Sequence, residues 1–599
     1  MKYNGKKWTR GALALCLCLI VLLSGCAQQT PQVVVPGQGS MPMQQADPTP
    51  EPLGDFAPAQ PAMPDSAPAQ PDPNAVPADP NAAGDAAGED AQAGWTDPNI
   101  IDMAGVDPLA EQAPVMVAGD INIGMVLEDE AALHPLDCIY RDLISMNELV
   151  FESVITLDDS MRPVGELADT WTNAGTNYTF HLRSGILFHN GEPLTAQDVV
   201  ESYQYIRARG DSCPWYDRTS GIKDMVALDE TSLSVTFANE GFASLYAMTF
   251  PVVQRYTLDN ALPMGTGPYW YTNYYVNSYL RLEANPFWWK KAARTQSVVG
   301  RRYPDTQSAL TALLTGEIDT LATRSAQASL YKKLTDYTTA DYTTLSYELI
   351  VPNMTSGAMT DIRMREALMY GIDRTAIAST VYGNMVQESE VPVVPGSYLY
   401  ETQAAQYNYS PERALQLLHE IGWSDSNGDG MLDIEVDGLL ENFTIRLVTY
   451  NDNVSSSRSD AAYLIAEQLS KIGVTVEIET VSKGKMEGIF KRGEFDIALV
   501  AVNLSYVPDL TALLRHDGKL NFSGYADKDM NNLLLSARAA STADDLASIY
   551  SEIQLMIVEK LPILGMYYHT GAVISTADVS VLHGIYELNT WNGMELVEP

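Results

Sequence analysis

Residues 443–450 read FTIRLVTY, residues 474–479 read VTVEIE and residues 495–502 read FDIALVAV, with helix-like stretches between them. The first and third runs are short, strongly apolar and rich in branched residues, as strands buried on both faces are. The second alternates Val474, Val476 and Ile478 with Thr475, Glu477 and Glu479, the two-residue period of a strand with one wetter face. Between the first two, Ala461, Leu464, Ile465, Leu469 and Ile472 fall at helical spacing and Gly473 stands where a helix-ending glycine belongs. A shorter helix is expected around residues 485–491. The order β-α-β-α-β predicts right-handed crossovers in a parallel sheet, and such sheets bind ligands beyond the carboxyl ends of their strands. Those ends point to Asn451 and Asp452, and to residues 503–509.

Outward from this unit, Ser410-Pro411-Glu412 predicts a helix start, with the helix running to Ile421 and stopped by Gly422. One helix is expected around residues 363–377, burying Met364, Ala367, Leu368 and Ile372. The pattern changes between about residues 151 and 238, where YTFHL at 178–182 and SLSVTF at 232–237 alternate as antiparallel strands do. The chain therefore combines an α/β part with a mixed α+β part.

The beginning of the chain sets its address. Lys2, Lys6, Lys7 and Arg10 precede an uncharged apolar run that ends in Leu23-Ser24-Gly25-Cys26. That is a signal peptide over residues 1–25 followed by a lipidation site at Cys26. The run is shorter than the ~20 apolar residues a permanent span needs. Acyl chains on Cys26 would hold the mature chain on the extracytoplasmic face of the membrane. Residues 26–114 are dominated by Pro, Ala, Gln, Gly and Asp, with neither Lys nor Arg from Ala27 to Asp137. Such a stretch has little to bury and reads as an extended, disordered tether.

The formal charge is −39, which argues against a nucleic-acid partner because phosphates are repelled. Cys138 and Cys213 are the cysteines left in the folded part; they pair outside the cell or stay as buried thiols. The seven His residues show no metal-ligand spacing, and no nucleophile-elbow, zinc-protease, Walker or dinucleotide glycine motif is present. Neither a catalytic residue nor a cofactor is expected. Asp425, Asn427 and Asp429 follow the first part of a calcium loop, but Val436 stands where the bidentate Glu should be. A tight Asn-Gly-Asp-Gly turn is the expectation, with calcium held by Asp425, Asn427 and Asp429 as the alternative. Tyr is abundant, 32 residues against 12 Phe, and its cluster at positions 269, 271, 274, 275 and 279 suits a wet cleft.

Longer motifs then run in order along the folded part: Arg162-Pro-Val-Gly-Glu-Leu-Ala-Asp-Thr-Trp171, Tyr178-Thr-Phe-His-Leu-Arg-Ser-Gly-Ile-Leu-Phe-His-Asn-Gly-Glu-Pro-Leu-Thr-Ala-Gln-Asp198, Gly265-Thr-Gly-Pro-Tyr269, Asn285-Pro-Phe-Trp-Trp289 and Leu314-Thr-Gly-Glu-Ile-Asp319. Arg363-Met-Arg-Glu-Ala-Leu-Met-Tyr-Gly-Ile-Asp-Arg374 and Tyr409-Ser-Pro-Glu-Arg-Ala-Leu-Gln-Leu-Leu-His-Glu-Ile-Gly-Trp423 continue the series. Together they resemble the family 5 extracellular solute-binding proteins, the peptide- and nickel-binding components of ABC importers.

The resemblance implies an α/β, two-lobed, periplasmic-binding-protein-like fold with an extra mixed subdomain in the N-terminal lobe and a two-strand hinge. Its divisions would be residues 115–275 as the first lobe, with the subdomain at about 150–250, residues 276–570 as the second, and residues 571–599 returning to the first. The crossings would lie near residues 271–279 and 568–574. It implies a small-molecule or peptide ligand between the lobes, ABC permease subunits as membrane partners, and a monomer. Peptide binders of the family hold the ligand's ammonium with an Asp in a Trp-x-x-Asp segment. Here Val502 stands at the Trp position and Ser505 at the Asp position, so Asp509 either supplies the missing carboxylate or caps a helix. Asn503, Ser505, Tyr506, Asp509, Asn451 and Glu130 are the resulting ligand-site candidates. The same fold binding an oligosaccharide, an amino-acid conjugate or a metal chelate, or acting as a surface sensor without import, is the alternative.

Overall fold

In the computed structural model the described residues are 117–127, 132–275, 278–290, 293, 295–436, 438–451, 456–580, 586–587, 590–591 and 594–596, all within the compact unit Gly94–Pro599. Cys26, the tether, Glu130 and Asp452 lie outside them. Strand Thr444–Asn451 pairs in parallel with Thr475–Ser482 on one side and Ile497–Asn503 on the other. The helices Ser457–Ser470 and Lys483–Arg492 make the two crossovers. Burial follows the sequence pattern: Ile445, Leu447, Val448, Ile497, Ala498 and Leu499 are sealed, while Thr475–Ser482 stays half wet at the sheet edge.

That unit is one end of an eleven-stranded mixed sheet. From it the strands run in the order Thr475–Ser482, Thr444–Asn451, Ile497–Asn503, Tyr337–Pro352, Leu564–Thr576, Thr320–Thr323, Val117–Val126, Thr295–Tyr303, Tyr279–Ala284 and Tyr269–Tyr275, with Val386–Glu388 pairing beside Leu564–Thr576. The cores divide it. One gathers Tyr347, Leu349, Leu447, Leu499, Ile553 and Tyr568. The others gather Ile121, Phe180, Leu282, Val298, Tyr342 and Val573, and Ala309, Leu313, Leu321, Ala572 and Ile574.

Two long antiparallel strands, Tyr337–Pro352 and Leu564–Thr576, therefore belong to both lobes. The boundary falls between Tyr342 and Tyr347 on the first and between Tyr568 and Ala572 on the second. There the ladder slips: Thr343 faces Thr570, but the next pair is Tyr347 with Tyr568. Extra residues on one strand are a bulge, which bends the strand locally. Thr344 Oγ1 donates to the His569 carbonyl at 2.7 Å and fastens the bulged segment.

This corrects the expected first crossing. Residues 271–279 do not leave the lobe, because Tyr275 pairs directly with Tyr279 in a tight hairpin at the sheet edge. The described core residues from Leu280 to Tyr342 accordingly pack in the first lobe and not the second. The helix expected around residues 363–377 is two helices, Ile362–Gly371 and Arg374–Thr380. Ile372 is extended, and the Asp373 carboxylate accepts from Ala376 N at 2.9 Å, so an Asp that would sit poorly inside a helix instead starts a new one.

The mixed subdomain is a four-stranded antiparallel sheet in the order Ala168–Ala174, Asn177–Leu182, Ser232–Phe237, Ile222–Ala227. It is backed by helix Ala196–Arg209, which begins with a reciprocal Thr195–Asp198 capping box. Cys138 and Cys213 are buried free thiols, Cys213 Sγ donating to Leu136 O at 3.0 Å and Cys138 Sγ to Tyr140 O at 3.6 Å. Burial pushes the Cys138 thiol up to about 11.

At the hinge the phenol end of Tyr342 lies against Gly571, its partner across the ladder, and a Cβ there would collide with Cζ and the hydroxyl. Tyr342 is only 2% exposed and has little room to retreat. Gly571→Ala is expected to cost about 1–3 kcal/mol through overpacking, measured as a lowered thermal unfolding midpoint.

Candidate functional site

Helix Arg141–Asn147 ends at Glu148, whose backbone closes the last turn. The chain from Leu149 to Leu157 then forms one wall of a cavity of about 500 Å³. Arg218 enters from the short helix Tyr216–Thr219, and Trp288 and Lys290 come from the turn after strand Tyr279–Ala284. Asn285 builds that turn: its Oδ1 accepts from Phe287 N and its Nδ2 donates to Gly267 O, both at 3.0 Å. From the other lobe Tyr506 reaches in from the loop after strand Ile497–Asn503, and Tyr586 and Trp591 of the C-terminal segment complete the lining. Tyr586 is tied down by donating to Leu157 O at 2.7 Å, and Glu587 beside it pairs with Arg324.

Most charges here are spent within the protein. Lys290 lies 3.2 Å from Glu152 and 3.0 Å from Glu166. Glu152 also accepts from Thr266 Oγ1 at 2.8 Å and from the indole N–H groups of Trp288 and Trp289 at 3.2 and 2.8 Å. Glu166 accepts from Ser153 N at 2.9 Å and Ser153 Oγ at 3.1 Å. Burial, together with the Glu166 charge, pushes the Glu152 carboxyl up against the pull of Lys290.

Two charged groups are different. Glu148 makes no side-chain hydrogen bond or ion pair with any described residue; it is half-buried and lines the cavity. Burial drives its carboxyl well above the usual range, Arg218 opposes this, and Glu166 and Glu587 add to it. Arg218 sits with its guanidinium 4.7 Å from the ring centres of both Trp215 and Tyr506 and has Thr249 Oγ1 at 3.3 Å, but no carboxylate partner. The indole N–H of buried Trp591 is likewise without a partner among the described residues. The cavity thus offers a stacked cation, an acid that loses its proton reluctantly, and aromatic walls.

Of the residues chosen from sequence, Tyr506 lines this cavity. Ser505 and Asp509 line a smaller crevice beside it. Asp509 stands one residue before Leu510, the N-cap of helix Thr511–Leu514, accepts from Thr511 N at 2.9 Å and pairs with Arg538 Nη2 at 2.6 Å, so both its oxygens are engaged. Asn503 ends its strand opposite Ser346, and Asn451 is exposed and accepts from Ser459 Oγ at 3.0 Å, away from the cavity lining. Glu130 is outside the described residues. Glu148, Glu152, Glu166, Arg218, Trp215, Trp288 and Lys290 were not singled out as site residues. Glu166 and Trp288 do stand inside the motifs used for the family resemblance, whereas Glu148 and Arg218 carry no local pattern.

The calcium-like loop is occupied by its own backbone. Asp425 Oδ1 accepts from Gly428 N at 2.7 Å and its Oδ2 from Gly430 N at 3.0 Å, while Asn427 accepts from Asp429 N at 2.8 Å. Among the described residues no group of three or more His, Cys, Asp or Glu converges as metal ligands. No helix among them is long and apolar enough to cross a membrane.

Residues 162–524, more than half of the chain, match the bacterial extracellular solute-binding proteins, family 5. The chain belongs to that family. The oligopeptide-binding protein AppA of Bacillus subtilis is 24% identical over 478 residues, covering 75% of this chain and 86% of that protein. The structure of AppA with a nonapeptide superposes with a TM-score of 0.56 at 22% identity, over 81% of this chain and all of that one. The periplasmic murein tripeptide binding protein MppA in its unliganded open form gives 0.69 at 20% identity over 80% and 98%. A nickel ABC transporter protein of Bacillus halodurans gives 0.68 at 18% over 77% and 96%. The two-lobed family 5 fold is common to all of them, and family 5 proteins are binding proteins of transporters.

The folded state holds the Glu148 proton more tightly than an unfolded chain does. Its contribution to stability is therefore full below the ordinary carboxyl range and is lost as pH rises toward its raised folded value. Glu148→Gln should raise the unfolding midpoint of the ligand-free protein at pH 7–8 and leave it nearly unchanged at pH 4, where both side chains are neutral. Equal effects at both pH values would contradict this account.

Proposed function

We propose that this chain is the ligand-capturing, extracytoplasmic component of an ABC importer and that it takes short peptides into the cavity between its lobes. The observation that carries the reading is the unpaired couple of Glu148 and Arg218 in an otherwise charge-satisfied, aromatic cavity. A peptide's ammonium converts Glu148 to its ionised form, and its carboxylate gains a charge-assisted bond from Arg218. A volume of about 500 Å³ lies within the range of pockets that bury a compact ligand almost completely. Membership of a family whose relatives include oligopeptide- and tripeptide-binding proteins supports the same class of ligand.

In this reading Tyr506, with Ser505 next to it, is the contribution of the second lobe, and Asp509 holds the loop that presents them. The lobes are residues 117–342 and 347–568, with residues 570–596 returning to the first. Ligand shifts the population toward the closed form, which the permease reads, and no covalent step is involved. Cys26 carries lipid, residues 27–114 are the tether, and the protein works as a monomer at the outer face of the membrane.

Calorimetric titration of the full chain with di- to tetrapeptides is the test. At least one tripeptide should bind, with affinity rising from pH 5 to pH 8 as Glu148 becomes easier to ionise. Arg218→Ala should weaken binding by about 10- to 100-fold, the worth of one hydrogen bond to a charged group. Binding of a nickel chelate or an oligosaccharide with no response to any peptide would replace the peptide assignment with that ligand class.

A further inference from the structure

The C-terminal segment starts at the hinge and ends in the cavity. The Tyr586 backbone bridges to Thr343, the residue after which the ladder slips. The Tyr586 hydroxyl reaches Leu157 O in the wall of the first lobe, and its ring meets Tyr506 of the other lobe edge-on at 6.2 Å. Trp591 and Met594 follow along the same lining. The regular pairing of this segment is slight, two residues of Glu595–Leu596 against Val579–Ser580.

Glu587 fastens it. One carboxylate oxygen accepts from Arg324 Nε at 2.8 Å and the other from Arg324 Nη2, while Arg141 Nε lies 3.8 Å away. The Glu587 side chain is only 12% exposed. Its arginines belong to separate elements of the first lobe: Arg324 follows strand Thr320–Thr323, and Arg141 opens the helix that ends at Glu148. A forked guanidinium–carboxylate pair fixes direction as well as distance. The same carboxylate also acts on Glu148, which faces Arg218, Glu166, Glu587 and the phenols of Tyr506 and Tyr586. Burial is the main reason that the Glu148 proton is held; Arg218 opposes it, and the Glu166 and Glu587 charges add to it.

We infer that Glu587 is a positioning residue for ligand capture: held by Arg324 and Arg141, it pins the segment from Tyr586 to Met594 across the cavity, with Tyr586 as a strut between the hinge, the wall at Leu157 and Tyr506. The inference rests on the reading above of this cavity as the ligand site. Without the pin, the start of the segment is left to one backbone bridge, one hydroxyl bond and apolar packing. The aromatic wall against which a ligand packs then loses its fixed place.

Hydrogen exchange of the ligand-free full chain is the first test. Glu587→Ala and Arg324→Ala should each speed amide exchange at residues 586–596 by about tenfold, the worth of a hydrogen bond to a charged group, while strand Thr320–Thr323 and helix Arg141–Asn147 stay protected. Glu587→Gln keeps one acceptor for Arg324 and should fall between the parent and Glu587→Ala. Titration from pH 5 to pH 8 with the tightest-binding of the di- to tetrapeptides, beginning with Ala-Ala-Ala, then separates positioning from general weakening. Glu587→Ala should bind about three- to tenfold more weakly at pH 8. Its affinity should also begin to rise at lower pH than the parent's, because Glu148 ionises more readily once a neighbouring negative charge is gone. Exchange unchanged in both variants, exchange that rises throughout the first lobe, or a pH profile that coincides with the parent's overturns the positioning role. If the exchange result holds and no peptide binds the parent, the pin stands and the peptide reading falls.

Discussion

The ladder between strands Tyr337–Pro352 and Leu564–Thr576 carries the rest of the molecule. Each strand enters the core of one lobe and leaves in that of the other, so the same row of backbone hydrogen bonds closes two hydrophobic interiors. The slip between Thr343 and Tyr347 falls where the cores part. Bending is concentrated at a bulge, while the flanking Tyr342–Gly571 and Tyr347–Tyr568 contacts stay packed. The cavity exists because the lobes are joined at this ladder and apart beside it.

That arrangement also explains the chemistry of the cavity. Glu152 and Glu166 share the one ammonium of Lys290 and use their remaining capacity on indole, hydroxyl and backbone donors. They shape the wall without selecting a charge. Glu148 and Arg218 come from two separate helices of the first lobe; each feels the other's charge, but neither makes a direct ion pair with a described residue. Burial makes the ionised form of Glu148 costly.

Periodicity made the regular parts of the fold readable. The strands and helices from Thr444 to Asn503 follow from two- and 3.6-residue patterns, and the alternation at residues 178–182 and 232–237 marks the antiparallel subdomain. Three things were hidden. The division at Asp373 depends on a side chain choosing a cap over a helix interior, which competes closely with apolar spacing that continues to Ile377. The first of the two crossings was hidden, while the second lies within the expected residues 568–574: a strand that changes lobes looks like any other apolar strand, whereas the tyrosine-rich hairpin at residues 269–279 looks special and sits at an edge. The site was hidden because Glu148 and Arg218 are far apart in sequence and become a couple only through the packing of the first lobe. Asp509 was visible as a carboxylate near the right strand, but Arg538, which claims it, comes from a helix 29 residues on.

Strand Leu564–Thr576 lies in the interior of the eleven-stranded sheet and is made of residues near the end of the chain. Until it arrives, Tyr337–Pro352 lacks a neighbour along most of its length, and Thr320–Thr323 has one side unpaired. Neither lobe can then finish as an independent domain, however much of its own sequence has emerged. Contacts of such long sequence separation are slow to form and leave strand edges open meanwhile. A chain exported from its amino terminus would pass almost entire before either half could close, and cutting it shortly before residue 564 would unmake both lobes together.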